Sequence, residues 1–457
     1  MALLNATLAL IGLTIGAFYV YSLSKNVLWG WFSFLAANLL NFTFGTSQSA
    51  VGGLNLALLD LIYMSLLVAG VIRTVPRLRE RSTPLLISLG YLAVIFFSYV
   101  RGIITYGFPA ASNGCRGYIA TFVAMLYFLT APVDDESLRK YLRLYLMYGA
   151  GLLVVAVLAQ AGLPVGALAW AHGQGEAAIN GRLLPSGAAA GVAICVLLSL
   201  GFNALSEKRT LLTQFGPPLF LGLVILLRHR TVWIMLIACF TAILFLNTRL
   251  LRRFVGTFVI LGMLGTVGFL LTPKDERQQQ TALFSDASEN QGTFLWRLHS
   301  WEQVLSDEDQ SLFTIAFGES MGAGYWRFIP ELGTYADIPP HSEYVSQYSR
   351  IGVVGLPFLF LFLLRPIFVL WRYSKSRRFF VFPILSIWPA VVIAAVAYGF
   401  TYSIETDVYA MVAFANAITV RIRQEQAERV KLSLGASQWK PRMLPTFSQK
   451  STEGDPA

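Results

Sequence analysis

The sequence predicts an all-α, polytopic integral membrane protein. Of its 457 residues, 55% are hydrophobic and only 13% are charged, whereas a soluble protein carries about 25% charged residues. The mean hydropathy is +0.59. Apolar runs close to the ~20 residues that a helix needs to cross a bilayer recur along the chain. These observations exclude an ordinary soluble enzyme.

The apolar runs predict about 12 or 13 transmembrane helices by the length criterion. They fall at 3–23, 28–46, 54–72, 84–100, 117–133, 142–163, 183–205, 212–227, 231–248, 254–272, 351–371, 379–402 and 407–420. We therefore divide the chain into spans one to ten (1–272), a long polar loop with short helices (273–350), spans eleven to thirteen (351–421) and a flexible tail (422–457). The first run lacks a basic start and a cleavage site, so we expect it to be retained.

Basic residues mark one side of the predicted membrane. Every strongly basic loop follows an odd-numbered span, which by the positive-inside rule places those loops and the C-terminus in the cytoplasm. The residues that carry this pattern include Lys25, Arg73, Arg77, Arg139, Lys140, Arg209, Arg253, Arg372 and Arg421. The net charge of +10 thus reflects topology and does not indicate nucleic-acid binding. The three cysteines suggest neither a disulfide framework nor a metal cluster.

The opposite, outward loops contain few basic residues, and these are candidates for binding an anion. Arg101 and Arg116 flank one loop, and either alone is typical of a lipid-headgroup anchor. Arg182 stands at the entry to an apolar run. Arg228 and Arg230 lie two apart in one turn, where an anion between them would relieve their repulsion and accept bidentate hydrogen bonds. Glu405 and Asp407, in the last outward turn, are possible carboxylate partners for the arginines.

The long loop contains two further patterns. Arg297 and Trp301 lie four apart, on one face if 293–305 is helical. The alternative is an amphipathic helix on the membrane surface, with its tryptophans at the interface. Gly318, Gly322 and Gly324 predict a tight turn, although no phosphate-loop lysine follows them.

His341 is the residue that we weigh most heavily. It follows two prolines and directly precedes a span, so we expect it near the outer surface of the bilayer. A histidine can accept a proton at neutral pH, but a structural histidine at a span end is the alternative. Glu343 and Tyr344 are nearby candidates to orient it. His172, His229 and His299 are also outward, and their spacing matches no metal-ligand pattern.

Taken in order, these motifs resemble the O-antigen ligase and polymerase superfamily of bacterial envelope glycosyltransferases. The resemblance covers roughly Arg101 to Trp371. Its motifs are Asn180-Gly181-Arg182 before a small-residue span, Arg228-His229-Arg230, Arg297 with Trp301, the glycines from Gly318 to Gly324, and Pro340-His341-Ser342-Glu343-Tyr344 before Gly352 and Gly355. Ser342 is a departure, because the family most often has asparagine there.

The resemblance implies a GT-C-like fold and transfer of a glycan from undecaprenyl diphosphate to an acceptor hydroxyl on the periplasmic face. It implies no cofactor, no nucleotide sugar and no metal, and an inverted linkage. His341 would act as general base, and Arg182 and Arg230 would hold the diphosphate. The substrate-binding residues implied or suggested are Arg228, Arg297, Arg116, Arg101, Trp301, Glu343 and Tyr344.

Three functions remain open from the sequence. The leading one is polymerisation of lipid-linked oligosaccharide repeats into O-antigen or exopolysaccharide, and its close alternative is ligation of the glycan to lipid A–core. A lipid or glycan transporter is the third. It would require ionisable residues near the middle of its spans, and these spans are nearly free of charge, with Arg365 as the main exception. The expected location is the bacterial inner membrane. The expected partners are the lipid-linked donor, a glycan or lipid A–core acceptor, the bilayer and a chain-length regulator, and not nucleic acid.

Overall fold

The fold is almost entirely helical, as the sequence predicts. The computed structural model describes residues 2–45, 49–51, 54–56, 58–80, 82–167, 183–205, 211–246, 292–305, 311–329, 334–337, 339–374 and 387–438. Arg182, His172 and the predicted tenth span at 254–272 lie outside these ranges. Each of the other predicted spans overlaps a helix in the part that the structure describes, although residues 54–56 of the third span form a strand.

The helices occur in the order of the predicted spans, with two short additions from the long loop. They are α1 (Ala2–Lys25), α2 (Val27–Phe44), α3 (Leu58–Thr74), α4 (Thr83–Tyr106), α5 (Phe108–Leu129), α6 (Asp135–Gln160), α7 (Ser186–Leu205), α8 (Leu211–Leu226), α9 (Arg230–Leu246), α10 (Gly292–Leu305), α11 (Leu312–Phe317), α12 (Glu343–Ser374), α13 (Trp388–Gly399) and α14 (Thr406–Gln438), with a 3₁₀ helix at Val75–Glu80. Within the described ranges, five helices are long and apolar enough to cross a membrane by length and composition.

Two small antiparallel hairpins interrupt the helices. Strands β1 (Ser49–Val51) and β2 (Leu54–Leu56) form the first, and β3 (Trp326–Ile329) and β4 (Thr334–Asp337) form the second. We expected only short helices in 273–350. The second hairpin is stabilised by the facing rings of Phe328 and Tyr335, whose centroids lie 5.4 Å apart, a cross-strand pair that favours strands.

The expected outward loop at 101–116 is wrong, because these residues are largely helical. Helix α4 continues to Tyr106, and α5 begins at Phe108. Gly107 joins the two helices with φ of 82°, a conformation that glycine adopts without steric cost. Pro109 then lies in the first turn of α5, where its missing N–H breaks no helical hydrogen bond.

Two further boundaries differ from expectation. Helix α12 begins at Glu343, before the expected span start at 351, and α14 continues to Gln438, into the tail that we expected from 422. An exposed pair between Arg421 and Glu425, at 3.0 Å and one helical turn apart, supports the extension of α14.

An aromatic cluster around Trp31 fixes the centre of the helical assembly. Its ring stacks on Tyr145 at 5.9 Å and meets Phe128 and Phe414 edge-on at 5.0 and 5.3 Å. Its indole N–H donates to the carbonyl oxygen of Tyr141 at 2.9 Å. Aromatic ring pairs of this kind add to the stability gained by burying the rings. The contacts of Trp31 with Phe128 and Phe414 place α5 and α14 at the centre of the fold.

Contacts along α5 show which helix ends lie together. Near its start, the Cα of Gly114 packs against Gly322. After its end, the hydroxyl and carbonyl oxygens of Thr130 accept hydrogen bonds from Arg73 at 2.9 and 2.7 Å. At 1.5 Å per residue, about 24 Å of helix separates these two regions. We call the end with Gly322 the loop end and the end with Arg73 the basic end.

Arg350 fastens the glycine-rich turn at 318–324 to α12. Its side chain is 3% exposed and pairs with Glu319 at 2.8 Å. It also donates to the carbonyl oxygens of Ala323 and Gly324. A buried guanidinium needs such a full set of acceptors to offset the loss of water. The predicted tight turn is therefore present, and Arg350 holds it from α12.

Gly352 puts a kink in α12 beneath this turn. Its φ is 58°, which interrupts the helical backbone, and a Cβ there would collide with the carbonyl of Ala316. We expect Gly352→Ala to lower the free energy of unfolding by about 1–3 kcal/mol, seen as a lower melting temperature in detergent. Gly117→Ala, which meets nothing within 4 Å, is the control and should melt at the wild-type temperature or slightly higher. Equal melting temperatures for Gly352→Ala and the wild type would contradict the packing.

Candidate active site

Tyr402, in the turn between α13 and α14, brings together two residues singled out in the sequence. Arg297 of α10 donates from Nη2 to its hydroxyl at 3.1 Å, and the guanidinium lies 4.7 Å from its ring centroid. The His341 ring lies 5.7 Å from the same ring, centroid to centroid, at an angle of 60°. Arg297 and His341 therefore meet across one tyrosine at the loop end.

The segment around His341 is fixed at the start of α12. The hydroxyl of Ser342 donates to the carbonyl of Gly399 and accepts from the backbone N–H of Val345, both at 3.5 Å. The Ser346 hydroxyl donates to the Pro340 carbonyl at 3.1 Å. Ser342, the departure from the family pattern, thus contributes long hydrogen bonds within α12 and to α13. His341 itself is half-buried.

Glu343 holds α12 against the turn that carries Tyr402. Its backbone N–H donates to the Tyr402 carbonyl at 3.1 Å. Its carboxylate accepts from the Tyr409 hydroxyl at 2.7 Å and from the Ile404 N–H at 2.9 Å. A buried carboxylate with these donors is satisfied by the protein. Glu343 positions Tyr402, the neighbour of His341, and its role in substrate binding stays a prediction.

Tyr344 anchors the next turn of α12 in the same way. Its hydroxyl donates to the Val396 carbonyl of α13 at 2.8 Å, and its ring stacks on Phe360 at 5.1 Å. The hydrogen bond joins α12 to α13 just after the His341 segment, and the ring contact lies within the kinked helix α12. Its predicted part in substrate binding is likewise untested.

The arginine turn at 228–230 has a distinctive backbone. Arg228 has φ of 55°, which among the described residues is the one positive φ outside glycine. Such a conformation costs of order 1–3 kcal/mol and persists where the surroundings impose it. His229 between the arginines is buried, and its Nε2 lies 3.0 Å from the carbonyl oxygen of Leu184. Arg228 is half-buried and Arg230, which begins α9, is exposed.

A continuous set of contacts connects this turn to Tyr402. Leu184, which contacts His229, is two residues before Ser186, the first residue of α7. Gly187, the second residue of α7, packs against Glu405 in the same turn as Tyr402, and the Tyr398 ring stacks on Tyr402 at 5.6 Å and 14°. The arginine turn, the start of α7 and the Tyr402 turn are therefore neighbours at the loop end. Leu184 also lies two residues after Arg182, which the resemblance implies would hold the diphosphate.

Glu405 packs against the start of α7. A Cβ at Gly187 would collide with Oε1 of Glu405. Because glycine has no side chain, the Glu405 carboxyl group can lie this close to the helix. The N-terminus of a helix carries a partial positive charge that favours an acidic neighbour. Asp407, the other predicted carboxylate, instead accepts from the Tyr145 hydroxyl at 2.8 Å.

Glu405 should make the stability of the protein pH-dependent. It lies in the turn outside the helices, where burial first, and then the charges of Asp407 and Glu343, raise its pKa from 4.5 to about 8. The folded protein thus binds more protons than the unfolded chain between these values, so its stability falls as pH rises through this window. We expect Glu405→Gln to make the fall in melting temperature shallower from about pH 5 to about pH 8. The exposed Glu428→Gln should leave the slope unchanged, and an unchanged slope in Glu405→Gln would refute the assignment.

Arg101 and Arg116 have protein partners elsewhere at the loop end. Arg101 donates to the Gly318 carbonyl at 3.0 Å and lies 4.7 Å from the Phe313 ring centroid. Arg116 forms an ion pair with Asp60 at 3.1 Å. These contacts give both arginines structural roles, and their substrate-binding roles remain predictions.

Helix α10 confirms the predicted helix at 293–305 and is tied to the hairpin beside it. The side chain of Gln303 donates to and accepts from the Phe328 backbone at 2.9 and 3.1 Å. Trp301 lies one turn after Arg297, as predicted. Its buried indole N–H and the Nε of Arg297 have no hydrogen-bond partner among the described residues. Buried donors are normally satisfied by protein or by ordered water.

A polar cavity of about 70 Å³ lies between α10, the glycine-rich turn and α12. Its lining includes Gln303, Glu319, Tyr325 and Arg327. It has room for a few water molecules but not for a sugar, whose site must be more open. No group of three or more histidine, cysteine or acidic side chains within the described ranges is arranged to hold a metal ion.

Sequence reasoning missed Tyr398 and Tyr402. The only local signal was two tyrosines four apart at the outward end of an apolar run, a pattern equally typical of interfacial aromatics. The importance of Tyr402 comes from its contact with Arg297, which lies 105 residues earlier in the chain.

Comparison with known families agrees with the resemblance seen in the motifs. Residues 218–360 match the family described as O-antigen ligase. The matched region contains the arginine turn at 228–230, Arg297, the glycine-rich turn and His341, and ends before Tyr402. No curated protein matches the chain.

Proposed function

We propose that this chain is a polymerase of undecaprenyl-diphosphate-linked oligosaccharide repeats. The match of residues 218–360 to the family described as O-antigen ligase supports glycan-transfer chemistry of this kind. It would join repeats of O-antigen or exopolysaccharide at the periplasmic face of the bacterial inner membrane. The observation that carries the proposal is the meeting of His341 and Arg297 across Tyr402, beside the start of α7 and the arginine turn.

The arginine turn would bind the diphosphate of the donor. Arg228 and Arg230 present two positive charges within one turn whose backbone is fixed through His229. A guanidinium binds phosphate oxygens in a bidentate manner and stays charged. As the bond from the anomeric carbon to the diphosphate oxygen breaks, these charges stabilise the negative charge on the leaving group. Arg182 would add a third charge, so the proposed mechanism needs no metal.

His341 would act on the acceptor. It takes the proton from an acceptor hydroxyl as that oxygen attacks the anomeric carbon from the side opposite the diphosphate. The new glycosidic bond forms while the bonding electron pair leaves with the diphosphate, so a single displacement inverts the anomeric configuration. Arg297, which meets His341 at Tyr402, would assist in holding the acceptor, and Trp301 one turn later is a further candidate to contact it.

Tyr402 is the positioning residue of this arrangement. Tyr402→Phe keeps the ring between Arg297 and His341 but removes the hydroxyl that accepts from Arg297. A hydrogen bond to a charged group contributes about 1.5–3 kcal/mol, so we expect a loss of at least about tenfold in kcat/KM. Tyr402→Leu, which also removes the ring, should reduce kcat further. Equal kinetics for Tyr402→Leu and the wild type would contradict a positioning role.

Ligation of the glycan to lipid A–core is the second candidate, and the description of the matched family favours it. The two functions share donor and chemistry and differ in acceptor. Surface polysaccharide from a deletion strain separates them. A polymerase deletion leaves single repeats on the core, whereas a ligase deletion leaves long chains on undecaprenyl diphosphate.

Reconstitution of the purified protein in vesicles would test transport, the third candidate function. Arg365, the main charge within a span, donates to Asn416 at 3.2 Å and to Thr419 at 2.5 Å, so it bridges α12 and α14. We expect purified protein in vesicles to form polymer from a lipid-linked repeat without an energy source. Movement of the donor across the vesicle membrane without any product would instead identify a transporter.

A further inference from the structure

The basic end contains a cavity that the proposed function does not use. Its volume is about 340 Å³, and it lies between the α1–α2 junction, the end of α3 and the start of α6. Four basic side chains line it: Lys25, Arg73, Arg77 and Lys140. About 24 Å of α5 separates it from the glycine-rich turn, as estimated from helical rise. It is therefore a separate site.

Arg73 forms a fixed wall of this cavity. Its guanidinium donates to the Ser24 carbonyl at 2.8 Å and to two oxygens of Thr130 at 2.9 and 2.7 Å. These acceptors are uncharged, so they orient the guanidinium without neutralising it. Arg77 faces the same cavity and is half-buried. Two like charges that line one cavity favour an anion between them.

The backbone at the start of α2 adds positive potential. Asn26, Val27 and Leu28 there line the cavity, as does Ser137 in the first turn of α6. The N-terminus of α2 contributes partial positive charge, whereas the acidic residues at the start of α6 offset the contribution of that helix. The first N–H groups of both helices are already capped by Asn26 and Asp134, so the contribution to a ligand is electrostatic.

The acidic groups near the cavity leave an excess of positive charge. Glu136 pairs with Lys140 at 2.6 Å, but both side chains are largely exposed at the rim. Asp135 pairs with Arg139 outside the lining, and Asp134 is held by Ser137 at 2.7 Å. Arg73 and Arg77 have no carboxylate among the residues that line the cavity.

We propose that this cavity binds the phosphate group of an anionic membrane lipid. It opens where the apolar helices end, at the level expected for headgroups, and basic pockets between membrane helices are suited to such ligands. A volume of about 340 Å³ accommodates a glycerophosphate headgroup, while the acyl chains would remain in the bilayer. The bound lipid would join the ends of α1, α3 and α6.

The test measures lipid retention by the purified full-length chain. Native mass spectrometry counts phosphatidylglycerol bound to the wild type, to Arg77→Gln/Lys140→Gln and to a matched control, Arg79→Gln/Arg143→Gln. The control removes the same charge from the same two elements, at exposed residues that do not line the cavity. We expect the lining variant to bind phosphatidylglycerol at least about tenfold more weakly, at roughly 1 kcal/mol per basic residue, and the control to match the wild type. Arg73 is kept because its hydrogen bonds support the fold.

A displacement experiment distinguishes the source of the phosphate, and a single variant controls for misfolding of the double variant. Displacement of the lipid by millimolar inorganic phosphate would show that the phosphate group alone is recognised, and no displacement would show that the whole lipid is required. Retention of phosphatidylglycerol over phosphatidylcholine is expected in both cases. The single variant Lys25→Gln, at an exposed position, should weaken binding even if the double variant melts early. Equal retention of phosphatidylglycerol by the wild type and both lining variants would overturn the proposal.

Discussion

Replacing His341 with alanine is expected to lower the transfer rate of the purified protein by about a hundredfold to ten-thousandfold, the usual contribution of a general base. The loss should fall on kcat, because the imidazole acts on the acceptor proton in the transition state and not on donor binding. The His341 segment is fixed through Ser342 and Pro340. The alanine variant should therefore fold normally, as a thermal melt would confirm.

His299→Ala is the matched control for this result. His299 lies on α10 at the same end of the molecule and is exposed, so its removal should leave the transfer rate unchanged. His341→Gln, which keeps a hydrogen-bonding side chain but not the base, should be as inactive as the alanine variant. Near-normal transfer by His341→Ala would eliminate the base role and leave His341 as a structural residue.

Replacing Arg230 with alanine should have the second largest effect, a loss of about a hundredfold to a thousandfold in kcat. Arg230 begins α9 beside the fixed His229, where its charge would stabilise the departing diphosphate. Arg230→Lys keeps the charge and loses the bidentate fork, so its activity should fall between those of the wild type and the alanine variant. Steady-state assays with a lipid-linked repeat measure all three.

Arg139→Gln provides the comparison for loss of an arginine far from the site. Arg139 pairs with Asp135 one turn away on α6 at the basic end, and a half-buried pair of this kind on a helix surface contributes little to stability. Its variant should transfer glycan at the wild-type rate. If Arg230→Ala were as active as Arg139→Gln, the arginine turn would not hold the leaving group.

The fold could be predicted from the sequence wherever a local pattern determines the structure. Apolar runs of sufficient length predicted the order of the helices, because a segment within a bilayer must satisfy its backbone hydrogen bonds internally and so forms a helix. The region 101–116 was assigned to a loop because its glycines, Asn113 and Arg116 are polar or small. Gly107 and Pro109 instead end one helix and begin the next. The hairpin at 326–337 was missed because its two strands have only four residues each, and short runs do not distinguish a strand from a helix.

The site could be predicted only in part, for a related reason. His341 and Arg297 attracted notice by residue type and location, but the local signal at Tyr402, the residue that joins them, is equally typical of an interfacial aromatic. Glu343 was expected to orient His341 with its side chain. The structure instead shows its backbone N–H on the Tyr402 carbonyl and its carboxylate bonded to Tyr409 and Ile404, and the orienting role stays a prediction. Contacts between residues far apart in the chain arise from helix packing, which one sequence does not reveal.

The most direct test is a structure of the full-length protein in nanodiscs with undecaprenyl diphosphate bound, determined by cryo-electron microscopy. The proposed function predicts density for the diphosphate between the arginine turn at 228–230 and the His341–Tyr402 pair, with the polyprenyl chain leaving sideways into lipid. Diphosphate density at the basic end, with none near Arg230 and His341, would contradict the proposed site.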